Sequence, residues 1–202
     1  MVQSTTTNLR RRILTAARHL LIQEGVTRVS MRMIAREVGC SVGSLYSYFK
    51  DKDELVHSLI EEGFEMLILR AERLNGAFND AVGRLRGFCK AYISFGIENP
   101  EYYEIMFTLN AERMARYPAE KYRRARRALE IIAEVVSDGI REGVFKRVDS
   151  YVSANLIWSY LHGVITLMHA KRIDHIIREE DFINTAVEQI STLHLKDLVV
   201  PA

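Results

Sequence analysis

The stretch SMRMIAREVGCSVGSLYSYFK, residues 30–50, decides how this chain is read. Ser30 is a strong N-cap residue, because its hydroxyl can accept from one of the amides left unpaired at a helix start. Met31, Ile34, Ala35 and Val38 follow at helical spacing. Gly39 suits the left-handed conformation that closes a helix, and Ser41 is placed to cap a second one beginning near Val42. Val42, Leu45 and Phe49 lie on one side of that second helix. Ser41, Gly43, Ser44, Ser47 and the hydroxyls of Tyr46 and Tyr48 make the other side small or polar. Two short helices, a tight turn and a narrow polar outer face are what a helix-turn-helix needs to enter the major groove.

Upstream, NLRRRILTAARHLLIQE (residues 8–24) places Leu9, Ile13, Ala16, Ala17, Leu20 and Leu21 on one stripe, with Arg10, Arg11, Arg12 and Arg18 mostly outside it. This is an amphipathic helix ended by Gly25. Three arginines in its first turn oppose the helix dipole, a cost that phosphate contacts would offset; a frayed, solvated terminus is the alternative. Downstream, Asp51 and Glu54 form a D-x-x-E start for a long helix through Leu55, Leu59, Phe64, Leu67 and Leu74, with Lys52 expected to be exposed in its first turn.

Further helical patterns follow. One runs from Asp80 to Glu98, one opens at Asn99-Pro100, and one opens at Pro118 and ends between Gly139 and Gly143. Another begins at Asp149 or Ser150 and is apolar nearly all round, so it must be covered on more than one side. The last carries Phe182, Ile183, Ala186, Val187, Ile190 and Leu193 on one face. No strand-like alternation competes, so the fold class is all-α: an N-terminal three-helix bundle with a helix-turn-helix, followed by a larger helical domain. The boundary is set at residues 1–53 and 54–202.

Composition narrows the function. The first fifty residues hold eight Lys or Arg against two Glu, a balance of +6, which leaves −4 for the rest of a chain whose net charge is +2. A basic amino-terminal quarter on an acidic body points to a polyanion at one end. Cys40 and Cys89 offer neither a disulfide framework nor metal-ligand spacing, and no metal or cofactor is expected. The arginines at the N-terminus follow no apolar run, so no secretory signal is read, and no eighteen-residue apolar window offers a membrane span. A reducing cytoplasm is the expected location. Gly39-Cys40-Ser41-Val42-Gly43 matches G-x-S-x-G, but that nucleophile elbow needs a strand before it, and here a helix precedes; hydrolysis by Ser41 is the remote alternative.

At these spacings Ala16-Ala17, Gly25, Ser30, Ile34-Ala35, Gly39, Ser41, Gly43, Leu45-Tyr46, Tyr48-Phe49, Lys52 and Leu55 resemble the TetR family of transcriptional regulators. The resemblance covers about the first quarter of the chain. It implies a homodimeric repressor that binds a palindromic double-stranded operator and releases it when a small molecule enters the second domain. It further implies that Ser30, Tyr46, Tyr48 and Lys52 hold phosphates and that Arg32, Ser41, Val42 and Ser44 reach base edges, a division between register and sequence reading. The chain departs from the family at Val42, where lysine is common. A branched apolar group there can touch a thymine methyl. Leu21 replaces a common phenylalanine.

Trp158, His162 and Gly163, with the upstream NPEYYEIMF, are similar to a TetR-type ligand domain named for its Trp-His-Gly residues. Phe88, Tyr92, Phe95, Tyr103, Met106, Phe107, Trp158 and His162 are the expected ligand-binding set, for an apolar or aromatic effector with a few polar tips. Aromatic and methionine side chains at helical spacing are usually core, and His162 serves equally as a buried histidine satisfied by a carbonyl. A regulator without an effector is the alternative function. In the run from Lys121 to Arg127, Arg126 can pair with Glu130 one turn on, giving a solvated face; an anionic-ligand entrance or an auxiliary DNA contact is the sharper alternative. Cys40 is expected to be a small buried residue of the turn, with redox switching as the alternative. Dimerisation is assigned to the helices at Asp149–Ala170 and Asp181–Leu193.

Overall fold

The computed structural model describes residues 2–107 and 123–194, and all regular structure among them is helical. The helices are α1 (Val2–Glu24), α2 (Met31–Val38), α3 (Val42–Tyr46), α4 (Lys52–Asn75), α5 (Ala81–Glu98), α6 (Pro100–Phe107), α7 (Arg123–Arg141), α8 (Ser150–His169) and α9 (Glu179–His194). The helix opening expected at Pro118 lies outside the described residues, as do Lys121 and Tyr122 of the basic run. The described residues divide into two compact units: residues up to 64 with 99–107, and residues 65–98 with 123–194. The expected boundary at residue 53 falls in the first turn of α4, and α4 contributes to both units.

In the first unit, α1–α3 and the start of α4 enclose Ile13, Ala17, Leu21, Ile34, Leu45, Phe49, Leu55 and Leu59, all 2% exposed or less. Each large side chain so buried contributes about 1.5–3 kcal/mol over an exposed one. Helix α6 packs against α1 in the same unit. Its start follows the sequence: Pro100 is the first helical residue, and the Asn99 carbonyl accepts from Tyr103 N–H at 2.9 Å. On α4, a Cβ at Gly63 would run into the Met106 side chain, and Phe64 meets the Phe107 ring edge-on with centroids 5.7 Å apart.

Two expectations for this unit are corrected. Helix α1 begins at Val2, not at Asn8, so the three arginines stand two turns inside it and no dipole penalty arises. Helix α3 stops at Tyr46. Tyr48 and Phe49 N–H then share the Leu45 carbonyl at 3.0 and 3.1 Å, and this turn, not a further helical turn, drops Phe49 into the core.

In the second unit, α5 is buried along Leu85, Phe88, Cys89, Tyr92, Ile93 and Phe95 and packs on α7, α8 and α9. Arg84 holds α7 through Asp138 (2.7 Å) and Glu142 (3.1 Å). The α7–α8 connection turns at Gly143, where φ is 76°, and Phe145 fills the space over Gly139, with no room there for a Cβ. Asp149 caps α8 by accepting from Tyr151 and Val152 N–H, both at 2.9 Å.

Candidate nucleic-acid interface

The turn at residues 39–41 is built by caps. Ser30 Oγ accepts from Met33 N–H at 3.3 Å and starts α2. Gly39 sits at φ 72°, a conformation that costs an L side chain about 1–2 kcal/mol, and its N–H returns to the Ala35 and Arg36 carbonyls. Ser41 Oγ accepts from Ser44 N–H at 3.0 Å and lies 2.8 Å from Ser44 Oγ. Ser47 O–H donates to the Ser44 carbonyl at 2.6 Å. The outer surface of α3 therefore carries hydroxyls already tied to one another. Ser41 and Ser44 are thus joined twice, through the Ser44 amide and through their two hydroxyls.

The structure gathers most of the expected DNA residues on this surface. Ser30, Arg32, Ser41 and Tyr46 are exposed, Tyr46 to 49%, while Val42, Ser44 and Tyr48 are half-buried. Lys52 is half-buried instead of exposed. Its ammonium donates to the Val26 and Val29 carbonyls at 2.7 and 2.8 Å and ties the α1–α2 loop to the start of α4. The D-x-x-E start is present: Asp51 Oδ1 accepts from Glu54 N–H at 2.7 Å, and Glu54 Oε2 reaches back to Lys50 N–H at 2.6 Å.

Two arginines of α1 have internal roles that their sequence positions did not reveal. Arg12 Nη2 donates to the Val38 carbonyl at 2.6 Å, placing a cation on the C-terminal end of α2, where the helix dipole favours it. Arg10 stands 5.3 Å from the Phe49 ring centroid, a cation–π contact. Both brace the helix-turn-helix from behind while keeping positive charge beside it. Cys40 is half-buried in the turn and carries a free thiol.

The expected ligand residues fall in two places. In the second unit Phe88, Tyr92 and Phe95 are at most 2% exposed. Trp158 Nε1–H donates to Tyr92 Oη at 2.9 Å, and the Tyr92 ring stacks near Phe88 with centroids 6.3 Å apart. His162 lies 5.7 Å from the Trp158 ring, and its removal from water lowers its pKa below the usual histidine value. Tyr103, Met106 and Phe107 belong to the first unit, where Tyr103 and Phe107 are 4.8 Å apart. Among the described residues no group of three potential metal ligands is present. Three cations at the start of α7 are paired: Arg124 with Glu65 (3.1 Å), Arg126 with Glu130 (3.3 Å) and Arg127 with Glu134 (2.6 Å). The Arg126–Glu130 pair is the one expected from the spacing, whereas Arg124 reaches across to Glu65 of α4.

Residues 13–59 match the family described as "Bacterial regulatory proteins, tetR family", and residues 85–190 match "Tetracyclin repressor-like, C-terminal domain". The second match alone covers more than half of the chain. The chain belongs to the TetR family. An HTH-type transcriptional regulator of Staphylococcus aureus (strain USA300) is 30% identical over 90 residues, 45% of this chain and 49% of that protein. The chain thus spans about half the length of the curated relatives it matches. Two solved structures share the fold. A bacterial regulatory protein in the tetR family from Rhodococcus RHA1 superposes with TM-score 0.74 at 18% identity, covering 94% of this chain and 98% of that one. The TetR-family regulator PfmR from Thermus thermophilus gives 0.71 at 23% identity, with coverage of 90% and 97%. The match to a family of regulatory proteins over residues 13–59 takes in the helix-turn-helix, and the relative it resembles is a transcriptional regulator. The hydrolase alternative for Ser41 falls with this: a helix precedes it, and its hydroxyl is the cap of α3. No described helix is long and apolar enough to cross a membrane.

Proposed function

We propose that this TetR-family regulator is a cytoplasmic homodimeric repressor, released from a palindromic operator by a small apolar or aromatic effector held in its second domain. The DNA-binding domain is taken as residues 1–53 and the effector and dimerisation domain as 54–202. The observation that carries the effector half is the Trp158–Tyr92 hydrogen bond: two buried or half-buried aromatic side chains spend their polar tips on each other inside an apolar surround, with Phe88 and His162 beside them. Exchanging an indole–phenol bond for a bond to a ligand costs little, which suits a site that opens for a guest. The Trp-His-Gly kinship of Trp158, His162 and Gly163 belongs to the same reading.

At the DNA, Ser30, Tyr46, Tyr48 and Lys52 hold phosphates, while Arg32, Ser41, Val42 and Ser44 face base edges. Effector binding favours a dimer whose two recognition helices no longer match successive turns of DNA, a shift of an existing equilibrium. The test is titration of the purified protein onto duplex DNA from upstream of its own gene and onto random duplex, over a salt series. Selective, salt-dependent binding that aromatic test compounds weaken, with a thermal shift in the free protein, supports the reading. Equal affinity for both duplexes at every salt concentration removes it.

A further inference from the structure

Between α4 and α7 the second unit carries a groove of about 460 Å³. Ile68 and Leu69 line it from α4, and Arg123, Arg124, Arg126 and Arg127 line it from α7. On a helix Arg123 and Arg127 stand one above the other, with Arg124 and Arg126 to either side of that line. Four guanidinium groups are thus held close together, where like charges repel. Carboxylates answer three of them: Glu65 meets Arg124 at 3.1 Å, Glu130 meets Arg126 at 3.3 Å and Glu134 meets Arg127 at 2.6 Å. These carboxylates are 32–60% exposed, so water and salt weaken the pairs and they add little to the fold. Arg123 is exposed and makes no ion pair with any described residue. Leu69 is the second observation. It is 58% exposed beside these arginines, whose alkyl stems are long enough to cover it and leave it bare.

We infer that this groove binds a small amphiphile with a phosphate head and an apolar body. The head accepts from Arg123 and Arg124, and the body lies on Ile68 and Leu69. A lone carboxylate would offer Arg124 only what Glu65 already gives it. A phosphate has more charge and more oxygens, and guanidinium forks match it two bonds at a time, so it can engage both arginines together. The exposed Arg124–Glu65 pair is weak enough to be exchanged for it. Duplex DNA fits less well, because its sugar–phosphate backbone has no apolar body to lay on Leu69. The groove shares no residue with the aromatic set around Trp158, and this inference does not rest on the effector proposed there.

The test is isothermal titration calorimetry of the intact chain with n-hexyl phosphate, hexanol and inorganic phosphate. Hexyl phosphate is expected to bind at a single site, about tenfold or more tighter than either hexanol or inorganic phosphate, and to weaken as salt is added. The double variant Arg123→Gln/Arg124→Gln should weaken it about tenfold, and Leu69→Glu, at a position too exposed to threaten folding, should do the same. Trp158→Phe should leave it unaltered. Melting temperatures of the groove variants should match that of the unaltered protein. The site is overturned if hexyl phosphate does not saturate, or if hexanol or inorganic phosphate binds as tightly. It is overturned equally if Trp158→Phe weakens binding while the groove variants do not, which would move the molecule to the inner aromatic set. A double variant that loses affinity for random duplex, in a protein that ignores hexyl phosphate, would make the arginines a DNA contact instead.

Discussion

Arg18 donates from Nε to Glu101 Oε2 at 2.8 Å, and its guanidinium stands 4.6 Å from the centroid of the adjacent Tyr102 ring, so one side chain of α1 grips α6 by charge and by π-face. Both ends are partly exposed, at 22% and 37%. Water and salt weaken such a pair, and about 1 kcal/mol is the expected coupling. A double-mutant cycle of Arg18→Met and Glu101→Gln, followed by urea unfolding, should return that figure. A coupling of zero would reduce the contact to packing.

Both ends of the pH scale act on groups withdrawn from water. Burial, and then the Glu62 carboxylate, push Tyr102 up to about 12. Burial pushes the Cys89 thiol to about 12 as well. For both groups the neutral form is the one the fold favours, so their contribution is intact below their unfolded values of 10.0 and 9.0 and is lost as pH climbs toward 12. His162 is shifted the other way, so its contribution is intact above 6.5 and declines as pH falls through and below it. Melting temperatures across pH should fall at both extremes. Tyr102→Phe should soften the alkaline fall and His162→Gln the acid one.

One substitution separates the observed bonds of Lys52 from the phosphate contact proposed for it. Lys52→Met keeps the stem but leaves the Val26 and Val29 carbonyls without their donor, at a cost of about 1–2 kcal/mol to stability. If the ammonium also meets phosphate, affinity for all duplexes falls together and the salt dependence becomes shallower. A loss of stability with unaltered DNA affinity would assign Lys52 to the loop alone.

Val42 and Tyr46 should behave differently. Tyr46→Phe removes an exposed hydroxyl and is expected to weaken specific and random DNA alike by several-fold, whereas Val42→Lys should change which half-sites are selected. Selection of bound sequences from a random pool by each variant is the measurement. The same consensus recovered with Val42→Lys as with the unaltered protein would take Val42 out of base reading.

Gly139→Ala forces a Cβ into the Phe145 ring, and overpacking of this kind costs about 1–3 kcal/mol. Phe145→Leu in the same chain should recover part of the loss, which thermal melting of the single and double variants would show.

What the sequence discloses follows from how local each cause is. Ser30, Gly39, Ser41, Asp51 and Asp149 act on amides and carbonyls a few residues away, and all five stand where their spacing placed them. The start of α1 was hidden because VQSTTTN has neither apolar periodicity nor strong helix formers. The internal bonds of Arg12 and Lys52 escape the sequence for a different reason. Their partners are backbone carbonyls 23–26 residues away, and a carbonyl carries no mark in the sequence. Phe49 kept the helical period through a turn that is not a helix. In the candidate ligand set, the spacing of Trp158 and His162 showed a shared face, but nothing in it named Tyr92 as the hydrogen-bond partner.

The contact between Gly63 and Met106 has a mechanical consequence. The Met106 side chain takes the room that a Cβ would need at Gly63, so α6 is seated on α4 by a notch in the backbone that any larger residue would close. The other flank of α6 is held by Arg18 through its bond to Glu101. One helix is thus located by shape on one side and by charge on the other, so added salt should loosen only the second.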